Sequence, residues 1–315
     1  MSETVGISVV IPLYNEAESL PELHRELAEC LDRLGRTWEV IYVDDGSRDG
    51  SDRAIEALCA GDARVRALSL RRNFGKSAAL ATGFRHVRGE LVVTMDADLQ
   101  DDPNELPRLI AALDDGLDLV SGWKQNRQDP ITKTLPSRLF NAVTAMVAGV
   151  RLHDFNCGFK VYRREVAEAI EVYGELHRFM PALAHWRGFR VGEVPVHHRS
   201  RRYGRSKFGA ARFVNGFLDL LSAAFISTSA LKPLHVFGRI GLLFLAGGAA
   251  LGAWFIGLWI HGDPIRVRPL MLFGAGLVLL GIGFILMGLL GEMIASIAAR
   301  ADYPIRRRWN LDGDA

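Results

Sequence analysis

Two aspartates and a glutamine occupy alternate positions in the segment DADLQ, which runs from Asp96 to Gln100. In an extended segment, residues two apart point to the same side and lie about 7 Å apart. Asp96, Asp98 and Gln100 could therefore present three oxygens to one ligand. Hard divalent cations such as Mg²⁺ or Mn²⁺ take oxygen ligands and bridge to substrate phosphates. The segment predicts a Mg²⁺ or Mn²⁺ site, although a single DxD motif is also common in ordinary turns.

A second acidic segment, VDDGSRDGS, runs from Val43 to Ser51. Asp, Gly and Ser favour both turns and helix N-caps, so one interpretation is a turn followed by the start of a helix. The consecutive Asp44 and Asp45 are more than a turn requires, and a carboxylate here could accept hydrogen bonds from a nucleobase. The two interpretations are compatible.

Short β-rich apolar runs alternate with helical patterns over the first 121 residues. This alternation predicts an α/β fold with a mostly parallel, Rossmann-like sheet. In such sheets ligands bind at the carboxyl ends of the strands. No GxGxxG follows the first strand, which argues against a dinucleotide site. The predicted strands are 7–11, 39–43, 65–70, 90–95 and 117–121, and the predicted helices are 16–34, 49–60, 76–87 and 103–113.

Polar residues follow four of these predicted strands at the point where each strand ends. A purely structural surface has no need to bring so many polar groups to one edge of a sheet. The sequence therefore predicts a polar site at this edge. The residues are Tyr14, Asn15 and Glu16 after strand one, Asp44 and Asp45 after strand two, Asn73 and Lys76 after strand three, and Asp96 and Asp98 after strand four.

The composition limits the classes of partner. The chain has 315 residues, which suits one large domain with an additional segment. Its net charge of +2 gives no reason to expect nucleic acid as a partner. The three cysteines fit neither a zinc motif nor a disulfide framework, and an odd count without CxxC is typical of a reducing compartment.

Two uncharged runs near the C-terminus, 240–260 and 270–291, have 21 and 22 residues. At about 1.5 Å per residue, each could cross a hydrocarbon core of roughly 30 Å. We expect a transmembrane hairpin rather than two buried helices of a soluble protein. The N-terminus lacks the basic and apolar regions of a secretory signal.

Basic residues are more numerous on both sides of the hairpin than in its loop, which predicts cytoplasmic termini at the inner (plasma) membrane. The loop contains only Arg266 and Arg268. Gly248 and Gly252 form a GxxxG motif, which permits close helix packing and leaves a homo-oligomer open. The flanking basic residues include Arg199, Arg201, Arg202, Arg205, Lys207, Arg212, Lys232 and Arg239 before the hairpin, and Arg300, Arg306, Arg307 and Arg308 after it.

The segment 208–231 has apolar residues at helical spacing. It fits equally well an amphipathic helix on a membrane surface and a core helix of the soluble domain. We therefore divide the chain into a catalytic domain (1–206), an interface segment (207–235), the hairpin (236–295) and a basic tail (296–315).

Six motifs occur in an order that resembles the family 2 glycosyltransferases of the GT-A fold. The likeness covers roughly residues 5–230. The branch that it resembles most is that of the polyprenyl- or dolichol-phosphate sugar synthases, including the bacterial bactoprenol glucosyltransferases. The motifs are VVIPLYNE, VDDGSRDGS, RNFGKSAAL, MDADLQDDP, DFNCGFKVYRREV and RRYGRSKFG.

The resemblance implies donor-binding roles for residues in the matching motifs. The nucleotide would be cradled by Pro12, Tyr14 and Glu16, and its base contacted by Val43 and Asp45. The resemblance also implies a donor-site role for Lys76. The diphosphate and metal would be lined by Met95, Asp96, Ala97 and Asp98, and Gln100 would be a further metal ligand. Basic donor-phosphate contacts match Lys124, Arg201 and Lys207. Arg199, Arg202 and Arg205 could equally stabilise the departing diphosphate or form a lipid-headgroup patch.

On the acceptor side, the resemblance implies a phosphate motif formed by Ser137, Arg138 and Asn141, with Arg127 beside it. Asp154 lies where related transferases can carry a general base. A polyprenyl phosphate is already anionic at neutral pH, so we expect Asp154 to position the sugar or basic partners instead.

The resulting prediction is an inverting, metal-dependent glycosyltransferase that moves a sugar, first of all glucose from UDP-glucose, onto polyprenyl phosphate at the cytoplasmic membrane face. A GDP-mannose-dependent synthase is the alternative. A processive polysaccharide synthase is disfavoured because its QxxRW motif is absent: Ile305 stands where Gln would precede Arg308 and Trp309. The intact Asp96, Asp98 and Gln100 argue against a non-enzymatic scaffold.

Overall fold

The computed structural model describes residues 5–125, 141–142, 144–199, 233–262 and 269–298. Residues 5–199 belong to one unit and residues 233–298 to another. The strands of the first unit are β1 (Ile7–Leu13), β2 (Trp38–Asp44), β3 (Val65–Ser69), β4 (Leu91–Thr94), β5 (Leu119–Lys124), β6 (Lys160–Arg163) and β7 (Val191–Val196). Its helices are α1 (Leu20–Arg33), α2 (Ser51–Gly61), α3 (Lys76–Phe84), α4 (Leu106–Asp114), α5 (Arg164–Ala169) and α6 (Met180–Trp186), with short 3₁₀ turns at Pro103–Glu105 and Leu176–Arg178. Residues 144–148 are also helical.

One seven-stranded sheet organises this unit, in the order β3-β2-β1-β4-β6-β5-β7. Every residue of β1, β2 and β4 is buried, as expected for strands covered by helices on both faces. The pairs β1–β2, β1–β4 and β2–β3 are parallel, and β5 is parallel to β7. The predicted α/β fold with a mostly parallel sheet is confirmed.

The strand β6 departs from the parallel pattern. It lies between β4 and β5 and is antiparallel to both. Neither β6 nor β7 was predicted from the sequence. The insertion of β6 places the DFNCGFK segment, which precedes it, beside the end of β4.

Two apolar clusters cover the two faces of the sheet. In α1, Leu20, Leu23, Leu27 and Leu31 recur at helical spacing and are fully buried on the first face, together with residues of α4. On the other face, residues of α3, α5 and α6 pack against the sheet. The sheet is thus held between two helical layers, and its strand ends are left to form loops.

The second unit consists of two helices, α7 (Pro233–Ile260) and α8 (Pro269–Ala298). Both are long and apolar enough to cross a membrane, with mean hydropathy of 1.9 and 2.5 over the candidate spans. Large apolar side chains such as Leu243 and Leu279 are about 70% exposed. Such continuous apolar exposure needs a non-aqueous neighbour.

Glycines bring the two helices of this unit together. A Cβ on Gly241 would lie 2.7 Å from the Gly281 carbonyl oxygen, and one on Gly248 would lie 2.8 Å from that of Gly274. A Cβ on Gly252 would meet nothing within 4 Å. Gly248 therefore serves a contact within one chain, and the homo-oligomer suggested by the GxxxG motif stays a prediction.

Several predicted features lie outside the described residues. Of the predicted interface segment, residues 233–235 form the start of α7 and the remainder is outside. Of the predicted tail, residues 296–298 end α8. The predicted site residues outside the described part are Arg127, Ser137, Arg138, Arg201 and Lys207.

Candidate active site

Hydrogen bonds join the loop after β1 to the loop after β2. Asn15 adopts a φ of 57°, a left-handed conformation that asparagine tolerates. Its backbone N–H donates to Ser47 Oγ (2.8 Å), and its side-chain oxygen accepts from the Arg48 N–H (2.9 Å). The Glu16 N–H donates to Ser51 Oγ (3.0 Å). The segments that hold Tyr14, Glu16 and the double aspartate therefore form one edge, as the strand pattern predicted.

Asp45 ties this edge to the loop after β3. Its two carboxylate oxygens accept from the backbone N–H groups of Phe74 (2.7 Å) and Gly75 (2.8 Å). Gly46 has a φ of 73°, and a Cβ there would lie 2.5 Å from the backbone of Arg72, so only glycine allows this approach. Asp45 is buried and orders the loop that leads to Lys76. If Asp45 also contacts a nucleobase, it must do so with the same two carboxylate oxygens that bind this loop.

The DADLQ segment forms a turn at residues 97–98, and Leu99 has a φ of 60°. The extended conformation assumed in the sequence analysis is therefore wrong for this segment. The physical reason is local: Asp98 Oδ1 accepts from the N–H of Gln100, two residues further on, as in an Asx-turn, while Met95, Ala97 and Leu99 still pack into the apolar core. A bulky residue with positive φ is an outlier of a kind that clusters at functional sites.

The side chain of Asp96 is about one-third exposed at the end of β4, and Lys76 Nζ contacts its Oδ1. Gly158, from the DFNCGFK segment, closes the other side. A Cβ on Gly158 would lie 2.6 Å from the carboxyl atoms of Asp96. Sequence reasoning missed Gly158; the only signal was its place in a motif that the family shares.

Asp96 and Asp98 supply two carboxylates, and a divalent cation held by them would have to take its remaining ligands from a substrate. Among the described residues, no group of three or more His, Cys, Asp or Glu side chains could hold an ion alone. Mg²⁺ is usually bound by one or two carboxylates together with substrate phosphates. The Lys76 ammonium beside Asp96 indicates that positive charge is favoured at this position. Asp98 Oδ1 accepts from the Gln100 N–H (3.2 Å), which fixes the turn.

A second lysine–aspartate pair lies just beyond this turn. Lys124 Nζ, at the end of β5, is 3.1 Å from Asp101 Oδ1, and both side chains are buried. Burial would raise the pKa of Asp101, but Lys124 and His198 outweigh it and hold that pKa below its usual value. Burial would lower the pKa of Lys124, but Asp101 outweighs it and raises that pKa. The predicted donor-phosphate lysine is thus an ion-pair partner, and sequence reasoning missed Asp101.

The segment after β7 is attached to the DADLQ turn. The Arg199 N–H donates to the Gln100 carbonyl (2.9 Å), and Asp101 and His198 form an isolated antiparallel β-bridge. The Arg199 guanidinium lies 2.6 Å from Glu26 Oε2 and 2.9 Å from Asp102 Oδ1. Arg199 therefore pairs with two carboxylates of its own unit, which neither proposed role for it had anticipated.

The DFNCGFK segment contributes buried polar groups beneath the site. Asp154 is buried, and its Oδ1 accepts from the Asn156 N–H (3.2 Å). Lys160 is fully buried and donates to the Cys157 carbonyl; burial lowers the pKa of Lys160 to about 8. Asn141, predicted on the acceptor side, donates to the carbonyl of His153, next to Asp154 (2.7 Å).

The remaining predicted residues fall into two groups. Tyr14 and Glu16 are half-buried at the end of β1. Pro12, Val43, Met95 and Ala97 have buried side chains in the sheet or core, so any donor contact they make would use the backbone.

Comparisons with known proteins agree with this architecture. Residues 8–171 match the family described as Glycosyl transferase family 2. The undecaprenyl-phosphate 4-deoxy-4-formamido-L-arabinose transferases of Salmonella paratyphi B and Salmonella enteritidis are 38% identical over 294 residues, which cover 92% of this chain and 88% of each relative.

Solved structures show the same fold. Glucosyl-3-phosphoglycerate synthase from Mycobacterium tuberculosis, in complex with Mn²⁺, uridine-diphosphate-glucose and phosphoglyceric acid, matches with a TM-score of 0.56 at 21% identity. The match covers 72% of this chain and 82% of that one. A second complex of the same enzyme, with Mn²⁺, uridine diphosphate and phosphoglyceric acid, matches with a TM-score of 0.57 at 20% identity and covers 72% and 81%.

Proposed function

Because the chain belongs to glycosyl transferase family 2 and is a glycosyltransferase, we propose that it moves a sugar from a nucleotide sugar onto a polyprenyl phosphate. The observation that supports a polyprenyl phosphate as the acceptor is the 38% identity, over 92% of this chain, to transferases named for undecaprenyl phosphate. The cluster of polar residues at the carboxyl ends of β1, β2 and β4 supports a phosphorylated donor on the same unit.

For the donor, the relatives favour 4-deoxy-4-formamido-L-arabinose as the first sugar to test, ahead of the glucose expected from the sequence. Uridine diphosphate is the nucleotide in the solved neighbours, which supports a UDP-linked sugar over the GDP-mannose alternative.

Asp96 and Asp98 would hold a divalent cation, with Gln100 beside them. When bound, such an ion neutralises the charge that develops on the departing diphosphate. Mn²⁺ in the solved neighbours supports this assignment, and Mg²⁺ is its alternative. The chain itself adds the Lys76 ammonium at Asp96 and a loop edge already fixed by Asp45, so the donor meets an organised site.

The reaction is a single displacement at the anomeric carbon. A phosphate monoester carries one to two negative charges at neutral pH, so its oxygen can attack without losing a proton to the enzyme. The new bond joins the anomeric carbon to the lipid phosphate oxygen, and the bond to the nucleoside diphosphate breaks with its electron pair. The configuration at the sugar inverts, and Asp154 would position the sugar or the basic partners rather than remove a proton.

Asp154→Asn tests this role for Asp154. We expect transfer to fall, because the isosteric amide lacks the charge that holds the sugar or its basic partners. The pH dependence of kcat should keep its shape, because the carboxylate does not remove a proton in the reaction. Steady-state rates from about pH 5 to pH 9 provide the measurement. A limb of the profile that disappears with the carboxylate would assign Asp154 as a general base instead.

We also propose that α7 and α8 span the membrane as a hairpin with both termini in the cytoplasm. Their length, their apolar surface and the distribution of basic residues in the sequence support this topology. The division into a catalytic domain (1–206), an interface segment (207–235), a hairpin (236–295) and a tail (296–315) stays part of the proposal.

A donor panel tests the function. Full-length protein in detergent is mixed with Mn²⁺, undecaprenyl phosphate and labelled UDP-4-deoxy-4-formamido-L-arabinose, UDP-glucose or GDP-mannose. We expect label in the organic phase with one UDP-sugar, and none with undecaprenol or with the Asp98→Asn variant. Transfer that requires no lipid phosphate, or no transfer from any donor, would overturn the proposed function.

A further inference from the structure

The pair of Lys124 and Asp101 stands out because the side chains are only 12% and 1% exposed. A buried carboxylate without a cation is strongly destabilising, and so is a buried ammonium without an anion. Each therefore needs the other in order to stay charged inside the protein. The charge of Lys124 is largely neutralised where it stands, which leaves little of it to attract a diphosphate.

Asp101 also lies at a junction of three strand ends. Its own segment follows β4, Lys124 ends β5, and His198 follows β7. His198 Nδ1 lies 3.7 Å from Asp101 Oδ1, and the backbones of the two residues form the isolated bridge. One position further along, the Arg199 N–H bonds to the Gln100 carbonyl. The carboxylate of Asp101 thus lies within 4 Å of a basic side chain from each of two other segments, Lys124 at the end of β5 and His198 after β7.

We propose that Lys124 and Asp101 act together as a neutral positioning pair, which fixes the DADLQ turn against the segment that follows β7, and that Lys124 does not contact the donor phosphates. The proposal rests on the proposed function, since it concerns how the donor site is organised. It separates Lys124 from Lys76, whose side chain is about one-third exposed beside Asp96, so that a substrate could still reach its ammonium.

A double-mutant cycle tests the pair. Lys124→Met and Asp101→Asn are made singly and together in the full-length protein, because Met and Asn keep roughly the size of the residues they replace. Thermal unfolding is measured first, and binding of UDP in the presence of Mn²⁺ is then measured by calorimetry. Arg25→Met and Glu29→Gln, which remove an exposed ion pair on α1, form the matched control cycle.

The expected result is coupling in both readouts. Each single variant unfolds at a lower temperature and binds UDP about tenfold more weakly, whereas the double variant recovers to within about threefold of the parent. If a single variant cannot be purified, a folded double variant that binds UDP within about threefold of the parent still supports the pair. The control cycle is expected to be additive.

Two outcomes would overturn the proposal. One is a double variant that unfolds like the parent but binds UDP as weakly as Lys124→Met, which would make Lys124 a direct phosphate contact. The other is strict additivity of the unfolding temperatures. Failure of the unsubstituted protein to bind UDP would instead count against the proposed function, while the unfolding cycle would still report on the pair.

Discussion

Two lysine–aspartate pairs lie on either side of one short turn, and their surroundings differ. Lys76 and Asp96 are each about one-third exposed, while Lys124 and Asp101 are almost fully buried. An exposed pair stabilises a protein by about 1 kcal/mol at most and leaves both charges accessible. A buried pair is sensitive to the loss of either partner. Two aspartates only five positions apart, each paired with a lysine, can therefore contribute to ligand binding in one case and to the stability of the fold in the other.

The largest expected effect comes from the exposed pair. Asp96→Asn should lower sugar transfer by about 100-fold or more, because a carboxylate that faces the developing diphosphate charge and its cation is lost. Its unfolding temperature should change little. Transfer assays and thermal unfolding of Asp96→Asn are compared with Asp52→Asn, an exposed aspartate in the first turn of α2. Transfer within tenfold of the parent would remove Asp96 from the site.

The buried pair should show the opposite pattern in stability. Lys124→Met leaves Asp101 unpaired and should lower the free energy of unfolding by about 3–5 kcal/mol. Lys76→Met, at the exposed pair, should lower it by less than about 1 kcal/mol. Denaturant unfolding of the two variants side by side provides the measurement. Equal losses would show that the difference in burial has no energetic consequence.

The smallest effect concerns Lys160, a buried lysine that has no ion-pair partner among the residues that the structure describes. Burial lowers its pKa to about 8 from 10.5, so above about pH 8 the unfolded chain holds a proton that the folded protein has released. The free energy of unfolding should therefore rise as pH increases from about 8. Above about pH 9 the buried Cys157 thiol, whose pKa burial raises to about 12, opposes this trend.

Unfolding measured between pH 7.5 and pH 9 should show this rise in the parent and not in Lys160→Met. A parallel dependence in both proteins would mean that Lys160 keeps its proton in the folded state. The result would also show what burial does to a lysine that lacks the carboxylate available to Lys124.

The sequence was sufficient to predict the first five strands and the polar edge at the ends of four of them. These features depend on local patterns, namely apolar runs and the residues that end them. The strand β6 was not predictable in the same way, because its four residues, KVYR, begin and end with a charged residue. Such a segment contains no apolar run that would indicate a buried strand.

The burial of Lys124 against Asp101 was not predictable from the sequence either. A lysine at the end of a strand beside an acidic motif is expected to bind phosphate, and nothing nearby in sequence indicates that it is buried against Asp101. The turn at residues 97–98 was also missed, because the alternation of apolar and polar residues in DADLQ fits an extended strand as well as a turn with Leu99 at positive φ.

The position of β6 also has a consequence for the order in which the chain can fold. The strands β3, β2, β1 and β4 can pair once the first 94 residues exist, whereas β5 finds its partners only in β6 and β7, which come later. During synthesis, β5 and one edge of β4 therefore remain open until the chain has passed residue 163. Premature termination before that point would leave one edge of β4 and both edges of β5 unpaired, and aggregation rather than a partly active enzyme is the expected product.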